Sequence, residues 1–129
     1  MSYDYVIDTY AWVEYFRGSE EGKVAKKYIE NGNCAVSSIS IAELAEKYKR
    51  EDRNFDEDFN FIVAKTKIME VTTEIAILAG KLNYENKKTI KNWGMADAII
   101  LATAKLSDIK VVTGDEHFRS LGMIMLRQN

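Results

Sequence analysis

Short apolar segments alternate along this chain with longer stretches of helical periodicity, and that alternation constrains the fold more than any other feature. Residues 3–7, 34–36, 68–71, 109–113 and 123–126 each read as a strand: brief, apolar or β-branched, and bounded by turn residues. Between them the spacing is helical. Phe55, Phe59, Ile62 and Val63 share one face of a helix, and Ile75, Ile77, Leu78 and Leu82 mark another. Thr9 is expected to cap a helix closed by Arg17-Gly18, and Ser19 or Glu20 opens a second that stops at Asn31-Gly32-Asn33. Ser40 is expected to cap residues 41–49, with Glu43 three positions on as in a capping box. Asn92 is expected to cap a helix over residues 94–106, apolar nearly all round and therefore buried on more than one face. Strands alternating with helices predict an α/β fold, a five-stranded, mainly parallel sheet between helices. Right-handed crossovers then place helices on both faces. The 129 residues fit one domain over 1–129.

In such sheets, ligands sit outside the carboxyl ends of the strands. Four acids fall there. Asp8 ends the first strand, Glu43 lies near the start of the helix after the second, Asp97 opens the long apolar helix, and Asp115 follows the fourth strand by two residues. Singly, each is explained as a helix cap or a partner of the helix dipole. Together they pose an electrostatic problem. Two carboxylates about 5 Å apart repel by about 3 kcal/mol at an effective dielectric of about 20. Several such pairs cannot all stay ionised uncompensated: either a proton is taken up or a divalent cation binds. An all-oxygen set suits Mg²⁺ or Mn²⁺ rather than Zn²⁺, and such a centre suits phosphodiester hydrolysis.

Charge at first argues against a nucleic-acid partner, since the net charge is −2. Setting aside those four of the 20 acids leaves 16 acids against 18 bases, so the acidity is local. Basic residues gather at Lys23, Lys26 and Lys27, at Lys47, Lys49, Arg50 and Arg53, and at Lys87, Lys88 and Lys91. Other classes drop out. Cys34 is the only cysteine, so a disulfide scaffold is excluded. The longest uncharged apolar run, residues 98–104, falls far short of the ~20 a membrane helix needs, and no basic, apolar leader opens the chain. A cytoplasmic protein with no membrane partner is expected. No Gly-rich phosphate loop ending in Lys-Ser or Lys-Thr occurs, which excludes a P-loop NTPase.

The residues around the acids carry a resemblance. Val6-Ile7-Asp8-Thr9 with the following Trp12-Val13-Glu14-Tyr15-Phe16-Arg17-Gly18, then Ser38-Ile39-Ser40-Ile41-Ala42-Glu43-Leu44, Ala96-Asp97-Ala98-Ile99-Ile100-Leu101-Ala102-Thr103-Ala104 and Val112-Thr113-Gly114-Asp115-Glu116-His117-Phe118 occur in this order. With this spacing the chain resembles PIN-domain ribonucleases, and specifically the VapC toxins of prokaryotic toxin–antitoxin pairs. The resemblance implies an endoribonuclease that uses Mg²⁺ or Mn²⁺, an RNA substrate, a cognate antitoxin that covers the site, and a homodimer. It assigns the metal and the catalysis to Asp8, Glu43, Asp97 and Asp115, and supporting roles to Thr9 and Thr113. One departure is Tyr10, where many relatives carry a small polar residue. The biology has alternatives: an RNA-processing nuclease with no antitoxin, or a binding module that keeps the fold without the chemistry.

Further residues admit two readings each. Glu116 either reaches the ion through water or faces solvent. Glu46, one turn after Glu43, is a second-choice ligand. Trp93, beside Lys87, Lys88 and Lys91, either stacks an RNA base or staples the first turn of its helix. His117 is read as a residue that packs beside Phe118 rather than as a general base, because a metal centre already activates water. Trp12, Tyr15 and Phe16 are expected in the core or in an interface.

Overall fold

The computed structural model describes residues 3–127. The chain runs β1 (Tyr5–Ile7), α1 (Thr9–Arg17), α2 (Glu20–Glu30), β2 (Cys34–Ser37), α3 (Ser38–Arg50), α4 (Asp56–Lys65), β3 (Lys67–Met69), α5 (Thr73–Asn86), α6 (Met95–Leu106), β4 (Lys110–Thr113) and β5 (Ile124–Met125). A 3-10 turn, Glu116–Leu121, joins the last two strands. All pairings are parallel, in the order β3-β2-β1-β4-β5. The α/β architecture expected from the alternation is the one observed.

Alternation within the strands divides the core in two. Ile7, Val36 and Val112 point to one face, where Trp12, Ala25, Ile29, Leu44, Tyr48 and Ile62 of α1 to α4 bury them. Val6 and Val111 point to the other, against Ile75 and Ala79 of α5 and Ala98, Leu101 and Ala102 of α6. Each fully buried Val, Leu or Ile among them contributes about 1.5–3 kcal/mol. The pairing Val6↔Val111 and Ile7↔Val112 fixes β1 against β4. A one-residue slip would send both sets to the wrong face.

The helix starts differ from the sequence expectation in a consistent way: the cap is the residue that still belongs to the strand or turn. Asp8, not Thr9, caps α1, accepting from Ala11 N at 2.8 Å while its own N–H donates to Val112 O. Ser37, not Ser40, caps α3, so Ser40 sits inside the helix and Glu43 one turn beyond its start. Gly94, not Asn92, precedes α6, and Asn92 takes a left-handed turn conformation with φ +63°. Gly18 closes α1 with φ +70°, as the Arg17-Gly18 signal predicted. Among the described residues no helix is long and apolar enough to cross a membrane.

Candidate functional site

The parallel sheet brings the carboxyl ends of β1, β2 and β4 to one edge, and each delivers an acid by a local device. Asp8 is committed by capping: one oxygen takes the Ala11 N–H, and the residue is only 3% exposed. Thr113, fully buried at the end of β4, hydrogen-bonds Asp8 through its hydroxyl and accepts from Asp115 N at 2.8 Å. One side chain thus ties the β1 acid to the β4 acid. Asp115 Oδ1 accepts from His117 N at 2.9 Å as the cap of the 3-10 turn. Asp97, in the first turn of α6, accepts from Gly94 N at 3.1 Å. Glu43 projects from the second turn of α3 and accepts from Thr9 Oγ1 at 2.6 Å; the same hydroxyl lies 2.9 Å from that of Ser40. Thr9 and Thr113 thus each hydrogen-bond one of these acids.

Glu43, Asp97 and Asp115 are each anchored through one oxygen. Asp97 Oδ1, Asp115 Oδ2 and Glu43 Oε2 have no hydrogen-bond donor among the described residues. Their charges act on one another. Burial pushes the Asp8 carboxyl up from 3.8 to about 7, aided by the negative Asp115 and Asp97 and opposed by the Thr113 and Ala11 hydrogen bonds. Burial also raises Glu43, with Asp97, Asp115 and Glu46 adding to the effect against the Thr9 hydrogen bond. Asp97 is raised by burial and by Asp115, while the Gly94 N–H and His117 oppose the shift. The donor set fits a hard divalent cation: several carboxylates converge, mutually destabilised as anions, with oxygens left over.

Two residues stand out that sequence reasoning undervalued. His117 does more than pack beside Phe118. Its Nδ1 lies 3.0 Å from Asp97 Oδ2 and 3.3 Å from Asp115 Oδ1, bridging acids from two separate elements. The Asp-x-His spacing was the available signal, since a tight turn after Asp115 carries the ring back over its carboxylate. Glu21 of α2 had no signal at all. It accepts from Tyr10 Oη at 3.1 Å, and its other oxygen is buried beside Gly114. Tyr10 and Glu21 together fill the space that a side chain at position 114 would need.

The other residues singled out in the sequence take definite places. Trp93 is 4% exposed, its ring packed on Phe118 at 5.3 Å and near His117 at 6.5 Å, so it is held against the 3-10 turn and offers no surface for a base. Glu116 faces solvent, not the acids: Arg119 holds it through both oxygens at 2.6 and 2.8 Å, and Arg127 lies 3.8 Å away. Lys87, Lys88 and Lys91 are exposed, and Lys88 stacks over Tyr84 while facing Glu85 at 3.5 Å. A surface depression beside His117 is lined by Ile90, Lys91, Glu116, Arg119 and Ser120. Trp12 is fully buried in contact with Tyr15, Phe16 and Phe61, which places it in the core.

A protein-family model, the PIN domain, matches residues 5–123. No curated protein sequence matches the chain. Solved structures do. A chain of a toxin–antitoxin complex from Klebsiella pneumoniae superposes with TM-score 0.77 at 23% identity, over 98% of this chain and 100% of that one. Mycobacterium tuberculosis VapC20, a Sarcin-Ricin loop cleaving toxin, gives 0.76 at 15% identity over 97% and 100%. DNA-bound VapBC from Salmonella typhimurium gives 0.73 at 21% identity over 97% and 96%. At these identities the likeness is one of fold.

Proposed function

Since the chain belongs to the PIN-domain family, we propose that its acidic edge is the active centre of a divalent-metal-dependent endoribonuclease, the toxin of a VapC-type toxin–antitoxin pair. The observation that carries the reading is the electrostatic coupling of acids from separate segments: Asp97 and Asp115 act on both Asp8 and Glu43, and burial raises Asp8, Glu43 and Asp97. A structural explanation by capping accounts for one oxygen of Asp8, Asp97 and Asp115 and for none of Glu43.

These four residues hold the ion in this reading, Mg²⁺ or Mn²⁺. When bound, it supplies charge neutralisation for the phosphodiester and makes a coordinated water more acidic. The chain's own residues do the positioning. Thr9 fixes the rotation of Glu43, and Thr113 sets the separation of Asp8 from Asp115. The exposed Lys87, Lys88 and Lys91 hold RNA phosphates along the rim. The partner is an antitoxin protein, as in the toxin–antitoxin complexes of similar fold. The remaining parts of the proposal are a homodimeric assembly, a cytoplasmic location and a single domain over the whole chain.

The deciding experiment is cleavage of total RNA with Mn²⁺, Mg²⁺ or EDTA, the wild type beside Asp8→Asn. Cuts that require both metal and Asp8 support the reading. No cuts together with no Mn²⁺ binding by calorimetry would sink it.

A further inference from the structure

We propose that His117 is a nitrogen ligand of the cation that Asp97 and Asp115 hold, and that it biases the centre toward Mn²⁺ over Mg²⁺. The proposal rests on the metal-dependent reading above and adds to its oxygen set a donor of different chemistry.

Neighbouring ligands in an octahedral shell at 2.0–2.1 Å from an ion lie about 3 Å apart. His117 Nδ1 stands 3.0 Å from a carboxylate oxygen of Asp97 and 3.3 Å from one of Asp115. Ligand atoms of the three side chains all fall within 4.8 Å of one another. A nitrogen serving only one hydrogen bond has no need to sit at comparable reach of two acids from different elements. The ring is also held from behind. Its backbone N–H is fixed on Asp115, and the buried Trp93 lies against it with ring centres 6.5 Å apart. The side chain is 27% exposed, buried enough to be ordered and open enough for an ion to reach. Without metal, Nδ1–H donates to Asp97. On binding, the ring carries its proton on Nε2 and offers the Nδ1 lone pair. Imidazole nitrogen is a better donor for transition ions than for Mg²⁺, which prefers oxygen.

His117 is the only histidine of the chain, so an imidazole signal from an untagged protein has one source. The probe is Mn²⁺ alone, read by pulsed electron paramagnetic resonance for nitrogen coupling to the bound ion. Coupling is expected in the wild type and is expected to vanish in His117→Gln. By calorimetry the Mn²⁺ Kd should rise about tenfold in that variant, and the Mg²⁺ Kd by less than about threefold. The wild-type spectrum decides the matter even if the variant folds poorly. Mn²⁺ bound, lost in Asp97→Asn, yet showing no nitrogen coupling would overturn the assignment of His117 and leave the ring as a hydrogen-bond donor. Absence of any Mn²⁺ binding in the wild type would overturn the metal reading itself.

Discussion

Asp8 offers a quantitative test, because it is the most deeply buried of the acids and the most strongly shifted. Its carboxyl moves from 3.8 to about 7 on folding, chiefly through desolvation. A carboxyl raised in the folded state favours folding below the unfolded value and loses that advantage as pH climbs through the folded one. Between pH 4 and 8, at about 1.4 kcal/mol per pH unit across the shifted range, the metal-free protein loses about 4 kcal/mol through this group. Asp8→Asn removes the titration while keeping a carbonyl oxygen for the Ala11 N–H. Urea unfolding in EDTA, followed by fluorescence of the buried Trp12 and Trp93, gives both stabilities as a function of pH. The variant should gain on the wild type by about 4 kcal/mol as pH rises from 4 to 8. Saturating Mn²⁺ should then narrow the gap at pH 8, since a ligand at 100 times its Kd adds about 2.7 kcal/mol to whichever protein binds it. A stability difference independent of pH would refute the argument. It would mean that Asp8 is ionised in the folded protein at no cost, and that the pocket is wetter than its 3% exposure implies.

Asp97→Asn relieves repulsion against Asp115 but weakens the acceptor for Gly94 N–H, so metal-free stability should change by less than about 1 kcal/mol while Mn²⁺ binding is lost; thermal melts and calorimetry check both. Gly114→Ala places a methyl group into the Tyr10 ring and 2.5 Å from Glu21 Oε1, and should cost about 1–3 kcal/mol in urea unfolding. Tyr10→Ala in the same chain should recover part of that loss. Changing Lys87, Lys88 and Lys91 together to Ala should lower the salt slope of single-stranded RNA binding by up to about 2, at about 0.7 per contact; an unchanged slope removes this cluster from the RNA path.

The fold and the four acids were legible because both follow from local periodicity plus one topological rule. Strand ends are marked by Asp8, Thr113 and the Ser37-Ser38 step, and a parallel sheet gathers those ends at one edge. Caps were less legible. Ser37, Ser38 and Ser40 are chemically equivalent candidates, and the choice depends on where pairing with β3 ends, at Ser37↔Met69. Trp93 was ambiguous for a similar reason: its burial depends on Phe118, far along the chain. His117 meets Asp97 across 20 residues, and Tyr10 meets Glu21 only because α2 folds back on α1. No local pattern encodes contacts of that kind.

The position of β1 between β2 and β4 has a consequence for how the site comes into being. Asp8 and Asp115 come from opposite ends of the chain, and the Thr113 hydroxyl that links them reaches Asp8 only when β4 has docked beside β1. A chain growing from its amino end through α6 holds Asp8, Glu43 and Asp97 but has neither the fourth acid nor the strand that seals the pocket. The fourth acid therefore joins the others in the event that docks β4 beside β1. On the proposed reading, a chain in which β4 has not docked beside β1 lacks a complete centre, and ion binding would report on that docking.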